Sequence, residues 1–388
     1  MRFPIYLDSQ STTPVDPRVL NEMMPYFSER FGNAASIDHS YGLEAADAVE
    51  EGRRKVARCL NSHPDAIIFT SGATESNNLA IIGTLAKNEN KGDHIITCMT
   101  EHKSVLDTCK HLEAIGKHVT YVPVDGFGRI DLEKLEEAIQ ERTVLISVMI
   151  ANNEVGTIGP VEEIGEIARR HGVLFHTDAA QAAGHILVDV EKIRADLVSV
   201  SAHKMYGPKG IGALYVRQGN LAAKPLPLTF GGGHERGVRS GTLNVPSIVG
   251  FGRAFEIALK EMGDEEKRYA KWVRQMLEIL QDKAKPAEQN GHPTMRLSHN
   301  LNVSFGQVEN KALIHTVNSK LAISSGSACT TLNVEPSHVI LAMGLGLERA
   351  HSAVRFGLDR FNTEEEIEFA TEFVVEAVKR LRKIRLAD

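Results

Sequence analysis

The stretches Val173-Leu174-Phe175-His176-Thr177-Asp178 and Leu197-Val198-Ser199-Val200-Ser201-Ala202-His203-Lys204 each begin with a β-rich run, at 173–177 and 197–200, and end in polar residues. Similar short runs recur through the first half of the chain, at 66–70, 94–100, 119–124, 144–150 and 212–216. Helical patterns lie between several of them, for example at 43–60 and 161–171. This alternation predicts an α/β fold with a largely parallel sheet covered by helices on both faces.

The pattern changes after about residue 251. A long charged helical segment extends to about residue 280 and is followed by β-rich runs near 300–305 and 352–358. We therefore predict a large domain at 15–255 and a small α+β domain formed by 1–14 and 256–388. A capping box, Thr363 with Glu366, begins the last helix. Its apolar stripe is predicted to pack in the core: Ile367, Ala370, Phe373, Ala377 and Leu381.

Composition excludes several classes of protein. With 388 residues, 42% of them apolar and 24% charged, the chain is typical of globular proteins and not of disordered or fibrous ones. A net charge of −6 argues against a nucleic-acid or membrane partner held by bulk charge. Asp8 and Gln10 interrupt the start of the chain, where a secretory signal requires an apolar run. We expect a cytoplasmic protein.

The four cysteines form no CxxC pair and no cluster with histidines at zinc-finger spacing. We therefore expect neither a disulfide framework nor a metal site. Cys59 and Cys98 are predicted to be small buried residues. Cys329, in contrast, follows a run of Ser, Gly and Ala that predicts a mobile surface loop.

Three segments carry candidate chemistry. The small residues from Thr70 to Asn78 follow a strand and begin a helix, which suits either a phosphate site or an ordinary N-cap. Asp178 ends a strand among few charges, so its carboxylate requires a cationic or N–H partner. Lys204 is either a solvated surface charge or a lysine that forms a Schiff base with a carbonyl. Together these groups match the phosphate, ring nitrogen and aldehyde of pyridoxal phosphate.

Further motifs along the chain resemble the cysteine desulfurases of the NifS/IscS-like group, which are fold-type I pyridoxal phosphate enzymes in the class V aminotransferase family. The resemblance covers nearly the whole length. It implies a pyridoxal phosphate enzyme that converts L-cysteine to L-alanine. Its motifs are Tyr6-Leu7-Asp8, Thr12-Thr13-Pro14-Val15-Asp16, Thr100-Glu101-His102-Lys103, Asn152-Asn153-Glu154-Val155-Gly156, Gly231-Gly232-Gly233-His234-Glu235-Arg236-Gly237, Arg239-Ser240-Gly241-Thr242, Ser324-Ser325-Gly326-Ser327-Ala328-Cys329 and His351-Ser352-Ala353-Val354-Arg355-Phe356.

The resemblance also implies roles for individual residues. Lys204 forms the Schiff base, Asp178 pairs with the pyridinium nitrogen, and His102 stacks on the ring, although by itself His102 is equally typical of a capping or surface residue. Asn153 and Gln181 reach the ring oxygen and the substrate. For Arg355 the resemblance implies a bidentate clamp on the substrate carboxylate, with a structural salt bridge as the alternative.

The implied phosphate ligands come from two subunits. One subunit supplies Ala73, Thr74, Ser201 and His203, and Thr242 reaches across from its neighbour. The resemblance therefore implies a homodimer with shared active sites.

Cys329 is implied to carry the sulfur as a persulfide. Its flanks contain no lysine or arginine, so activation of the thiol has to come from the site it visits. The spacing to Glu335-Pro336-Ser337-His338 is that of the family group with the longer loop. The implied acceptor is an iron–sulfur scaffold or another sulfur-accepting protein, bound transiently.

Three alternatives remain open on the sequence. A pyridoxal phosphate aminotransferase has no need of a thiol on a loop, so Cys329 argues against it. A selenocysteine lyase uses the same groups, and no residue visibly rejects either substrate. A non-catalytic protein that binds a phosphorylated ligand or acts as a scaffold has no need of Lys204, Asp178 and Cys329.

Overall fold

The computed structural model describes residues 1–326 and 336–385. Its strands are β1 (Ile5–Tyr6), β2 (Ile67–Thr70), β3 (His94–Cys98), β4 (His118–Val122), β5 (Thr143–Ser147), β6 (Leu174–Asp178), β7 (Leu197–Ser201), β8 (Gly212–Val216), β9 (Ala287–Gln289), β10 (Asn300–Phe305), β11 (Leu321–Ala322) and β12 (Ala353–Gly357). Every β-rich run predicted from the sequence overlaps one of these strands.

The main sheet has seven strands in the order β2-β8-β7-β6-β5-β3-β4. The strands from β7 to β4 pair in parallel, whereas β8 pairs antiparallel with both β2 and β7. Two smaller sheets, β1-β11 and β12-β10-β9, lie outside it. The predicted α/β class with a mostly parallel sheet is confirmed.

Helices cover the sheet and the smaller strands. They are α1 (Pro17–Met23), α2 (Pro25–Ser28), α3 (Ser40–Cys59), α4 (Ala73–Asn78), α5 (Thr84–Lys87), α6 (Lys103–Ala114), α7 (Leu132–Glu137), α8 (Val161–Arg170), α9 (Val190–Ile193), α10 (Val245–Lys283), α11 (Asn310–Val317), α12 (His338–Ala342), α13 (Leu347–Ser352) and α14 (Glu364–Arg385). A π-helical turn, Leu79–Gly83, joins α4 to α5. Within the described ranges no helix is both long and apolar enough to cross a membrane.

Neighbouring residues of the central strands pack on opposite faces of the sheet. In β6, Phe175 belongs to one apolar cluster and Leu174 to another. In β7, Val198 and Leu197 divide in the same way. Because successive side chains of a strand point to opposite faces, a sheet covered on both sides requires apolar residues in succession.

A further apolar cluster forms around the small sheets. The first half of α10 contributes Phe251 to the cluster of the main sheet, and its second half contributes Trp272 to this separate cluster. Helix α10 therefore passes through the predicted domain boundary between residues 255 and 256. Thr363 and Glu366 exchange the hydrogen bonds of the predicted capping box, both at 3.2 Å. The predicted stripe of α14 lies in or against this cluster.

Candidate active site

The carboxyl ends of β6 and β7 and the start of α4 border a cavity of about 600 Å³. Parallel strands place such ends at one edge of the sheet, where ligands of open α/β folds bind. Ten of the residues named from the sequence line this cavity: Ala73, Thr74, His102, Asn153, Asp178, Gln181, Ser201, His203, Lys204 and Arg355.

Lys204 ends a 3₁₀ turn, Ala202–Lys204, that directly follows β7. Its Nζ donates hydrogen bonds to the carbonyl oxygens of Gln10 and, at 2.8 Å, Ser11. The backbone carbonyl of Lys204 bonds to Nε2 of buried His185 at 2.9 Å. The amine is therefore oriented by a segment from the start of the chain.

Asp178 is the last residue of β6 and is 7% exposed. Its carboxylate accepts hydrogen bonds from Asn77 Nδ2 at 2.7 Å and from the backbone N–H of Ala180 at 2.8 Å. These donors meet the requirement for N–H partners that the sequence placed on this carboxylate. They hold it at the cavity wall.

A concave polar surface lies where α4 begins. Gly72 has φ +147°, a conformation that a side chain would strain, and the first amides of α4 follow it. Ser201 and His203 complete this surface. Burial, followed by the charges of Lys204 and Lys209, lowers the pKa of His203 to about 4, so its imidazole is neutral at pH 7.

His102 both caps helix α6 and lines the cavity. Its Nδ1 accepts a hydrogen bond from the backbone N–H of Ser104 at 3.1 Å, and Ser104 Oγ lies 2.8 Å from the same nitrogen. Burial is the main cause that lowers the pKa of His102. The neutral ring therefore carries its hydrogen on Nε2.

Arg355 is 1% exposed and lies in β12. Its Nη1 donates to the carbonyl oxygens of Asn153 at 2.7 Å and Gly326 at 3.1 Å, and its Nη2 donates to Asp8 and Ser11. Its buried Nε–H has no partner among the described residues. The structural salt bridge considered from the sequence is present.

One predicted residue, Thr242, is not among the described residues that line this cavity. Thr242 is exposed on the surface of the subunit. Cys329 lies outside the described residues. The other three cysteines, Cys59, Cys98 and Cys109, are buried and free, as predicted for Cys59 and Cys98. In the described part of the chain, no group of three or more His, Cys, Asp and Glu side chains could hold a metal ion.

The sequence analysis missed several residues of the cavity wall. Gln10 and Ser11 come from the start of the chain, Glu154 lies in a turn after β5, and His338 is the first residue of α12. Glu154 stands inside a motif that carries the resemblance, and His338 ends the segment from which the loop spacing was counted. No local pattern indicated that either side chain reaches the site.

Comparison with known proteins identifies the family. The aminotransferase class-V family model matches residues 5–369. The cysteine desulfurase IscS of Anaeromyxobacter sp. (strain Fw109-5) is 50% identical over 384 residues, which cover 99% of this chain and 95% of the relative. A solved NifS-like protein is 39% identical with a TM-score of 0.90, covering 97% of this chain and 100% of its own. SspA, solved in complex with cysteine, is 38% identical with a TM-score of 0.80, covering 92% and 99%. The chain therefore belongs to the aminotransferase class-V family, among the cysteine desulfurases of the NifS/IscS-like group.

Proposed function

We propose that this enzyme removes the sulfur of L-cysteine, releases L-alanine and transfers the sulfur to Cys329 as a persulfide. One observation carries this proposal: an amine, a buried carboxylate and a buried guanidinium, those of Lys204, Asp178 and Arg355, line a single cavity. These are the groups needed to attach a pyridoxal cofactor, hold its ring nitrogen and bind an amino-acid carboxylate.

Pyridoxal phosphate, the cofactor of this family, fits the donors of the cavity. The start of α4 with Ser201 and His203 would hold its phosphate, Asp178 its ring nitrogen, and Lys204 would attach it. His102 would lie against the ring, and Gln181 with Asn153 would contact the ring oxygen and the substrate. When bound, the cofactor supplies a sink for the electrons left on the α-carbon after loss of its proton.

The protein's own groups then bind the substrate and move its proton. Arg355 holds the substrate carboxylate, while Asn153 and Gly326 keep the guanidinium in place through their carbonyl oxygens. The Nζ of Lys204, oriented by the carbonyls of Gln10 and Ser11, takes the α-proton. The Cys329 sulfur then attacks the substrate sulfur, so that an S–S bond forms as the Cβ–S bond breaks.

Attachment of the cofactor tests the proposal. After borohydride reduction of the holoenzyme, peptide mass spectrometry should find the cofactor on Lys204. The Lys204→Ala variant should lack both this adduct and the visible absorption band. Lys209, a second lysine of the cavity, provides the matched control, since Lys209→Ala should leave the adduct on Lys204. A reduced holoenzyme with no adduct at Lys204 would contradict the assignment.

A homodimer with shared sites is part of the proposal. Thr242 is exposed and so is available to a neighbouring subunit. Apolar side chains of α1, α2 and the segment that follows are 45% to 67% exposed, which is typical of a surface that another protein covers. They are Leu20, Met24, Phe27, Phe31, Ile37 and Tyr41.

Mixed dimers test the shared site. We expect the Lys204→Ala and Thr242→Ala homodimers both to bind the cofactor poorly. A mixed dimer, however, contains one site with both native residues and should regain tight binding there. Failure of mixing to restore any tight cofactor binding would show that Thr242 does not act across the interface.

The domain division at 15–255, with 1–14 and 256–388 as the small domain, also belongs to the proposal, as does a cytoplasmic location. The acceptor of the sulfur is proposed to be an iron–sulfur scaffold or another sulfur-accepting protein that docks transiently. Calorimetry with a candidate scaffold tests this docking. A complex of nanomolar affinity would contradict a transient encounter.

A further inference from the structure

His338 is a cavity residue to which the proposed reaction assigns no role. It begins α12 and directly follows Ser337, whose side chain caps that helix. Ser337 Oγ also donates to Oε2 of buried Glu154 at 2.5 Å. The backbone that carries His338 is therefore fixed at the wall of the cavity.

The hydrogen bonds of His338 determine which ring nitrogen can accept a proton. Its Nε2 lies 3.1 Å from the carbonyl oxygen of Glu101, and a carbonyl oxygen can only accept. Nε2 therefore carries the hydrogen of the neutral ring, and Nδ1 carries the lone pair. Within the described ranges, no donor forms a hydrogen bond to this Nδ1.

His102 has the opposite arrangement. Its Nδ1 lone pair accepts the N–H of Ser104, and its Nε2 carries the hydrogen. His102 can thus accept a proton only by giving up the cap of α6. Of these two imidazoles, His338 alone offers a basic lone pair without breaking a hydrogen bond.

Charged groups surround the two imidazoles. Besides burial, the charges of Lys204 and His338 lower the pKa of His102, and those of Asp178 and Glu154 raise it. The titratable and charged groups near His338 are His102, Lys204, Asp178 and Glu154, together with Arg355 in the same cavity and buried Glu101, whose carbonyl oxygen bonds to the His338 ring.

The proposed reaction requires a base for sulfur. A free thiol has a pKa of about 8.5, so only a few per cent of it is ionised at pH 7. Lys204 is assigned to the α-proton. Since no lysine or arginine flanks Cys329, a group of the cavity has to take the proton of its thiol.

We infer that Nδ1 of His338 is the base that takes the proton from a thiol entering the cavity. This inference rests on the proposed function. The S–H bond breaks, an N–H bond forms at Nδ1, and the proton passes from there to solvent. The thiolate forms the S–S bond while the Cβ–S bond breaks, and the electron pair left on Cβ takes a proton to form the methyl group of alanine. The substrate carbon is reduced and the carrier sulfur is oxidised, so no other oxidant or reductant is needed.

His338→Gln is the informative variant, because its amide N–H can still donate to the Glu101 carbonyl while the basic lone pair is lost. At pH 7 we expect kcat for alanine formation to fall by about 100-fold. Between pH 6.5 and 8.5 the ratio of wild-type to variant kcat should shrink by about tenfold per pH unit, since the thiol ionises unaided. His111→Gln, a change at an exposed histidine of α6, should leave the ratio near one throughout.

The Cys329→Ser background identifies the source of the thiol. If His338 acts on the substrate thiol, His338→Gln should alter the spectral change on cysteine binding in this background. If His338 acts on the carrier thiol, the spectral change on cysteine binding should be identical in Cys329→Ser with and without His338→Gln. In the enzyme that retains Cys329, His338→Gln should then slow only persulfide formation. A wild-type to His338→Gln ratio that stays constant with pH, or near one, overturns the inference. A wild-type enzyme that forms no alanine overturns the proposed function itself.

Discussion

The carboxylate of Asp8 accepts a hydrogen bond from Nη2 of Arg355 at 2.8 Å, although the two residues are 347 positions apart in the chain. Arg355 is almost fully buried, and Asp8 supplies the negative charge that offsets its guanidinium. Asp8, at the start of the chain, thus balances the positive charge of the residue that is proposed to bind the substrate carboxylate. A substrate carboxylate that binds Arg355 therefore shares the positive charge of the guanidinium with Asp8.

Asp8→Asn should strengthen the binding of L-cysteine. The amide keeps the shape of the side chain but removes the competing negative charge, so the substrate carboxylate becomes the counter-ion of Arg355. We expect KM to fall by about tenfold, equivalent to about 1.4 kcal/mol. Steady-state kinetics measure this, with Asp8→Glu as the control that keeps the charge. An unchanged or higher KM in Asp8→Asn would show that Asp8 orients Arg355 and does not compete with substrate.

His185 should make folding stability depend on pH. Burial lowers its pKa to about 4, whereas an unfolded histidine titrates near 6.5. Between these values the unfolded chain binds more protons, so this contribution is fully present above pH 6.5 and is lost as the pH falls towards 4. The expected loss is about 1.4 kcal/mol per pH unit within that window.

Urea unfolding of wild type and His185→Gln at several pH values measures this contribution. Glutamine can keep the hydrogen bond to the Lys204 carbonyl and cannot be protonated. The unfolding free energy of His185→Gln should therefore fall less steeply between pH 6.5 and 4 than that of the wild type. Other buried histidines, such as His176, keep part of the slope in both proteins, because burial lowers the pKa of His176 to about 3. If the unfolding free energies of the two proteins change with pH by the same slope, His185 does not contribute to the pH dependence of stability.

Arg53 and Glu235 form a buried ion pair with an N–O distance of 2.7 Å and side chains 4% and 1% exposed. Glu235→Gln removes the buried partner of Arg53, leaves it only the exposed Glu50 among the described residues, and should lower the free energy of unfolding by about 3 kcal/mol. Combining it with Arg53→Met should cost less than the sum of the two single changes. A double-mutant cycle measured by urea unfolding checks this. Additive changes would indicate that the pair contributes little.

The strands of the main sheet could be predicted because burial on both faces leaves a nearly continuous apolar run. The ends of these strands were predicted less accurately. The run at 144–150 reads as one strand, but β5 ends at Ser147. The chain then turns so that the N–H of Met149 bonds to the buried carboxylate of Glu101. The antiparallel direction of β8 left no signal in the sequence either, since direction depends on how the chain returns to the sheet.

Residues of the site were predictable where a strand delivers them directly, as for Asp178 and Lys204. The partners of Lys204 were not, since Gln10 and Ser11 reach it only after the small sheets bring the start of the chain back to the cavity. His338 likewise enters the wall through the position of α12, which no periodic pattern indicates.

The fate of the substrate sulfur tests the central claim most directly. The holoenzyme is mixed with one equivalent of L-cysteine, quenched, alkylated and analysed by peptide mass spectrometry, while alanine is quantified in the same sample. We predict alanine in equal amount to a persulfide on the peptide that contains Cys329, and no persulfide in Cys329→Ser. Alanine formed without any persulfide at Cys329, or a persulfide on Cys59, Cys98 or Cys109 instead, would contradict the account.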